Sequence, residues 1–191
     1  MTPQEWKLLL QLTGTALGLL YLWLEYRADI RLWIVGLIMP VVHGALYYRS
    51  GLYADFAMQA VYIAAGLYGL TSWSRRTQGK PAVEIGRTPL RGWLAAGTAY
   101  ALLHAAIYFI LIRFTDSTVP FLDSMTTALC LTAYWMLSRK YIEQWLVWLA
   151  VDSITCGLYI YKGIPFTAGL YGLYSVLAVA GYLRWRRMMR A

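Results

Sequence analysis

Along the chain, long runs of apolar side chains alternate with short clusters rich in charged residues, glycine and proline. A helix crossing the hydrocarbon core of a bilayer needs about 17 to 25 mostly apolar residues. Seven stretches of that kind occur, at approximately 8–24, 32–48, 56–73, 93–112, 121–137, 145–161 and 165–183. The pattern predicts an all-α membrane protein with seven transmembrane helices. The first stretch lacks a basic n-region and a following cleavage site, and QLTGTALGLLYLWLEY leads straight into the next span. It is therefore expected to stay in the mature chain rather than be removed as a signal peptide.

Sliding the sequence against itself by 112 residues aligns Thr15–Arg75 with Thr127–Arg187 without a gap. Seventeen of the 61 pairs are identical, among them Trp23/Trp135, Trp33/Trp145, Tyr47/Tyr159, Gly51/Gly163, Tyr62/Tyr174 and Trp73/Trp185. Composition alone would give about four or five, so this is an internal repeat. Each copy holds three spans, an odd number, and two copies joined directly would run in opposite senses. The extra span at 93–112 restores the direction and makes the repeats parallel. Residues 1–74 are thus expected to form a first three-helix repeat, and 75–114 a basic cytoplasmic linker with a connecting fourth helix. Residues 115–191 are expected to form the second repeat with a basic cytoplasmic tail. A 3+1+3 bundle of parallel repeats is the arrangement of SWEET-like transporters, where the substrate site lies near the membrane midplane at the repeat interface.

Composition agrees with a membrane protein. The 191 residues are 60% hydrophobic and 14% charged, against about a quarter charged in soluble domains. The net charge of +8 would point to nucleic acid on a soluble domain, but here its distribution follows the spans. One side of the membrane receives Lys7, Arg49, Arg113 and Lys162; the other receives the remaining thirteen of the 17 basic residues. The positive-inside rule puts the richer side in the cytoplasm, with the N-terminus outside and the C-terminus inside. Cys130 and Cys156 fall inside predicted helices without metal-type spacing and read as small buried residues.

Asp152 stands out, a carboxylate in the middle of WLVWLAVDSITCGLY. A charge at a helix centre costs about 2.5–3.5 kcal/mol on insertion scales and usually faces a cavity or a partner. Trp145, Trp148, Asp152, Thr155 and Tyr159 share one helical face. Aromatic walls around a carboxylate suit a flat cationic ring. The plainer alternative is a protonated Asp152 bonded to a neighbouring helix, or a structural ion pair. Asp152 aligns with Pro40 in the other repeat; Pro40 removes a backbone hydrogen bond and is a candidate hinge or a static kink. In the third span Gln59 and Tyr62 share a face. Gln59 can both donate and accept, which suits an amide or an aminopyrimidine, and it can equally bond helix to helix. Its repeat partner is Tyr171, and Tyr62 is paired with Tyr174, so both tyrosines are candidate cavity residues. Asp55, near a helix end, fits a capping role better. His43 and His104 have no second metal ligand nearby in sequence and read as packing residues. No metal and no cofactor is expected, and no phosphate-binding glycine loop with a lysine is present. An intramembrane enzyme lacks its constellation. The other class left open is the substrate-binding subunit of an ATP-driven importer.

The stretches LYADFAMQAVYIAAGLYG, PFLDSMTTAL and SRKYIEQWLVWLAVDSITCGLYIYKG resemble the PnuC family of bacterial vitamin transporters over almost the whole chain. The resemblance implies a SWEET-like seven-helix homotrimer in the inner membrane. It implies facilitated diffusion of nicotinamide riboside or, in relatives often called PnuT, thiamine, with phosphorylation by a cytoplasmic vitamin kinase trapping the cargo. Nicotinamide riboside carriers usually show W-x-x-W-x-x-x-N in the sixth helix. Trp145 and Trp148 match it, and Asp152 replaces the asparagine. A carboxylate can bind the amino group of thiamine's pyrimidine, so the expectation leans to thiamine, with nicotinamide riboside as the alternative.

Overall fold

The computed structural model describes residues 3–49, 53–77, 79–115, 119–161 and 163–190. Among them are seven helices: α1 (Pro3–Tyr26), α2 (Arg31–Arg49), α3 (Tyr53–Ser74), α4 (Leu90–Phe114), α5 (Pro120–Ser138), α6 (Gln144–Tyr161) and α7 (Pro165–Met188). Every expected span falls inside one of them. Proline opens α5 and α7 at their first position, where the missing N–H has no intrahelical partner to lose. By length and composition α4 and α7 are each apolar enough to cross a membrane. The helical reading missed one feature in the basic linker. Strands β1 (Arg76–Thr77) and β2 (Lys80–Pro81) pair as a short antiparallel hairpin, and Gly79 takes its turn at φ +80°, a conformation glycine adopts without strain.

The chain divides into two compact units, Met1–Ala82 and Val83–Ala191. In the first, α2 packs on both α1 and α3; in the second, α4 packs on α5, α5 on α6, and α6 along α7. The fourth helix, expected as part of a separate connecting segment, is thus grouped with the helices that come after it.

The repeat reappears as matched local structure. In the first unit Trp33 meets Trp73 edge-on with ring centroids 5.7 Å apart, and in the second Trp145 meets Trp185 edge-on at 5.8 Å. Such pairs contribute about 0.5–1.5 kcal/mol beyond their burial. Each is seated on a glycine of the matching position, Gly69 under Trp33 and Gly181 under Trp145, where a Cβ would collide with the indole. All four tryptophans are buried.

The corners between the first two helices of each repeat also match. Ala28 and Lys140, 112 residues apart, both take left-handed φ, +52° and +53°. At the first corner Asp29 N–H donates to Leu24 O and Ala28 N–H to Glu25 O, both at 2.9 Å. At the second, Tyr141 N–H donates to Met136 O at 3.0 Å and Lys140 N–H to Leu137 O at 2.9 Å. This is the Schellman pattern that satisfies the last carbonyls of a helix, built without the usual glycine.

Beyond the corners the two repeats diverge. In the first unit Asp29 Oδ1 accepts the Arg31 N–H at 2.9 Å, capping α2, while the Arg31 side chain pairs with the same carboxylate at 2.6 Å. These contacts hold the Asp29 carboxyl down at about 2. In the second unit the linker completes the corner. Gly86 N–H donates to Lys140 O and Gly86 O accepts from Ile142 N–H, at 3.1 and 2.9 Å. Glu143 Oε2 accepts both the N–H and the hydroxyl of Thr88, at 2.9 and 2.8 Å. Burial pushes the Lys140 ammonium below its usual range, with nearby Glu84 opposing the shift.

Candidate substrate site

The start of α6 is fixed by the Gly86–Thr88 segment, and its length is packed against α5 and α7. Its inward face carries Trp145, Trp148, Asp152, Thr155 and Tyr159, as their three- and four-residue spacing requires. All of them are buried or half-buried, whereas Leu146, Ser153, Gly157 and Ile160 on other faces are exposed.

Asp152 is 7% exposed. Among the described residues its carboxyl has neither a hydrogen bond nor an ion pair. The phenols of Tyr171 and Tyr174 on α7 and the thiol of Cys130 on α5 lie within its electrostatic reach. Tyr171 stacks on Tyr159 at 5.6 Å with the planes 11° apart, and meets Tyr174 edge-on at 5.8 Å. An acidic group on α6 is therefore held near two tyrosines of α7, one of them stacked on Tyr159, within one unit. A carboxylate so placed lacks the charge or hydrogen-bond donors that normally compensate burial, and a cation with a flat face supplies both the charge and a stacking partner.

Trp148 meets Tyr134 of α5 edge-on at 5.7 Å. Its indole N–H is buried and has no acceptor among the described residues. Tyr134 was not singled out in the sequence, since nothing in its own neighbourhood marks it apart from the other tyrosines. Trp145, expected to line the site, is 2% exposed, and its ring is taken up by Trp185 and by the space above Gly181. Thr155 is half-buried on the same helix.

Gln59 and Tyr62 lie on α3 in the first unit, both half-buried. Gly44 of α2 lets that helix approach α3 at Gln59, a Cβ built on Gly44 lying 3.5 Å from Gln59 Cβ. Pro40 stands inside α2, which continues on both sides of it. The Asp55 side chain lies outside the described residues, as does Gly51 of the repeat. His104 behaves as a packed, bonded residue: its Nδ1 is 3.1 Å from the hydroxyl of Ser124, and its ring stacks on Tyr100 and meets Phe121 edge-on. Among the described residues no group of three or more potential metal ligands occurs.

The family model described as nicotinamide mononucleotide transporter matches residues 8–187. The chain belongs to this family, the PnuC family of vitamin transporters. The nicotinamide riboside transporter PnuC of Escherichia coli K12 is 25% identical over 92% of this chain and 84% of its own length. The riboflavin/roseoflavin transporter RibM of Streptomyces davaonensis is 29% identical over 91% of this chain and 83% of its own. A crystal structure of the vitamin B3 transporter PnuC superposes with a TM-score of 0.67 at 22% identity, covering 91% of this chain and 79% of that one. That likeness shows a shared fold. Its relatives are transporters rather than enzymes, and the chain is an integral membrane protein of a vitamin-carrying family. Neither named relative carries thiamine in its name, so the lean towards thiamine taken from Asp152 has no support among them; nicotinamide riboside is the better supported cargo.

Proposed function

We propose that the protein carries nicotinamide riboside across the bacterial inner membrane. The observation that carries this reading is the buried Asp152, with no bonded partner among the described residues, the phenols of Tyr171 and Tyr174 within its electrostatic reach and Tyr159 stacked on Tyr171. The pyridinium ring is flat and positively charged. It can stack on a tyrosine while Asp152 supplies the counter-charge. Trp148 offers its indole N–H to an oxygen of the sugar or the carboxamide, Tyr134 backs the Trp148 ring, and Thr155 adds a hydroxyl on the same face. Trp145 anchors the start of α6 against Trp185 of α7. Gln59 and Tyr62, on α3, are candidate substrate residues of the first unit taken by itself.

Transport is read as facilitated diffusion, with the two repeats as the moving parts of a SWEET-like alternating-access cycle and Pro40 as the yielding point of α2. From the distribution of basic residues, the N-terminus is read as outside and the C-terminus as cytoplasmic. A cytoplasmic vitamin kinase would then trap the cargo, and the exposed apolar length of α4 suits either lipid or the neighbouring copy of a homotrimer.

The test is uptake of nicotinamide riboside into liposomes that contain only the purified protein and no ATP, together with equilibrium binding to wild type and Asp152→Asn. ATP-independent uptake with binding weakened in the variant is expected. Uptake that requires an added ATPase would make the chain a binding subunit instead. Saturable uptake of riboflavin alone would favour the RibM-like reading, and displacement by thiamine but not by nicotinamide riboside would restore the lean towards thiamine.

A further inference from the structure

The repeat exposes a stripe on α6 that its twin lacks. Going along α6 in steps of four, Gln144, Trp148 and Asp152 correspond to Leu32, Gly36 and Pro40 of α2. At each step the second repeat carries a group able to form hydrogen bonds where the first has none. Side chains four apart lie on one face of a helix, about 6 Å apart along its axis, so the stripe is about 12 Å long.

Gln144 is the least expected member. It is fully buried, as is Leu32 at the matching position, so the environment there is that of a hydrophobic core. Neither its Oε1 nor its Nε2 has a hydrogen-bond partner among the described residues. A buried amide without partners costs roughly 1–3 kcal/mol by mutational data, and Leu32 shows that a leucine fills this position in the same local setting. Its neighbour in the stripe, the Trp148 indole N–H, is equally buried and without an acceptor. The start of the helix is fixed beside it, since Glu143 is bonded twice to Thr88.

Resting on the reading of Asp152 as the counter-charge to a cationic ring, we propose that Gln144 is a recognition residue for the hydroxyl-bearing sugar end of the substrate. The cation sits at Asp152, and the sugar extends along the stripe past Trp148 towards Gln144, whose amide both donates to and accepts from hydroxyls. The length of the stripe matches a nucleoside laid along the helix, and a small ring cation would occupy only its Asp152 end.

The test compares two ligands on the purified full chain, nicotinamide riboside and N1-methylnicotinamide, which has the same charged ring without the sugar. Gln144→Leu, the residue found in the other repeat, is expected to keep or raise the melting temperature, because replacing an unbonded buried amide by an apolar group of similar size is neutral or stabilising. It is expected to weaken nicotinamide riboside binding about tenfold while N1-methylnicotinamide stays within about twofold of wild type. Asp152→Asn should weaken both. Unchanged riboside affinity in Gln144→Leu overturns the proposal, and so does an equal loss for both ligands, which would mean that Gln144 acts only through the placement of α6. Loss of discrimination in Gln144→Leu with Asp152→Asn binding like wild type would sink the counter-charge reading and leave the sugar contact standing. Wild type that binds neither ligand overturns both.

Discussion

Gly181 lies directly beneath the ring of Trp145, and a Cβ at that position would stand 2.6 Å from three of its indole carbons. The rigid ring is already set edge-on against Trp185, so it has little room to retreat. Gly181→Ala is expected to destabilise the protein by about 1–3 kcal/mol, the usual cost of overpacking a filled site. Thermal unfolding in detergent, followed by tryptophan fluorescence, measures it. Gly69→Ala beneath Trp33 should act alike, whereas Gly157→Ala, with open space around its position, should leave the melting temperature unchanged or slightly higher.

The corner residues Ala28 and Lys140 carry side chains at φ +52° and +53°. A left-handed conformation costs a residue with a Cβ roughly 1–2 kcal/mol, and glycine escapes that cost while giving up more chain entropy. Ala28→Gly and Lys140→Gly are therefore each expected to stabilise by up to about 1 kcal/mol. Denaturation midpoints of the two single variants and the double variant check this, and the separate corners should give additive shifts.

These corners also show what the sequence could and could not disclose. Hydrophobic run length located all seven helices, because the bilayer imposes one length on every span. The 112-residue repeat was readable from identities such as Trp33/Trp145 and Gly69/Gly181, which the structure turns into equivalent contacts. The hairpin at Arg76–Pro81 was not readable, since two-residue strands leave no periodicity. Nor was the bond from Thr88 to Glu143, which joins positions 55 residues apart and carries no local signal. Within the site, Asp152 announced itself by its charge in an apolar segment. Gln144, at the edge of the same segment, carries no comparable local signal, and its burial without a hydrogen-bond partner marks it out.

Asp29 gives a pH dependence of known sign. Hydrogen bonds from Arg31 hold its carboxyl at about 2, against about 3.9 in an unfolded chain. A depressed carboxyl contributes stability that is fully present above the unfolded value and is lost as pH falls through the folded one. The stability difference between wild type and Asp29→Asn should be constant above about pH 5 and vanish between about pH 4 and pH 2. Its size will be small, because Arg31 is largely exposed and water screens the pair. Melting temperatures of both proteins across that range are the measurement.

The Thr88–Glu143 contact secures the start of α6. Hydrogen bonds to a charged acceptor contribute about 1.5–3 kcal/mol each, and Thr88→Val removes the hydroxyl bond while keeping shape and the backbone donor. A loss near the lower end of that range is expected, with Thr88→Ser close to wild type. In a double-mutant cycle Thr88→Val should cost little once Glu143→Ala has removed the acceptor. Additive losses would show that the two side chains do not act through one another.

Tyr171 occupies the centre of the aromatic group, stacked on Tyr159 and edge-on to Tyr174. If the cargo is held by its charged ring, the face of Tyr171 matters more than its hydroxyl, because cation–π attraction is set by the ring. Tyr171→Phe should therefore bind nicotinamide riboside within about twofold of wild type. Tyr171→Ala removes the face and frees Tyr159 from its stack. A desolvated cation–π contact contributes about 2 kcal/mol, so affinity should fall by roughly 10- to 30-fold. Calorimetric titration of both variants separates the ring from the hydroxyl. A large loss in Tyr171→Phe would show that the phenol itself bonds the substrate, and equal affinities in wild type and Tyr171→Ala would move the ring of the cargo away from α7.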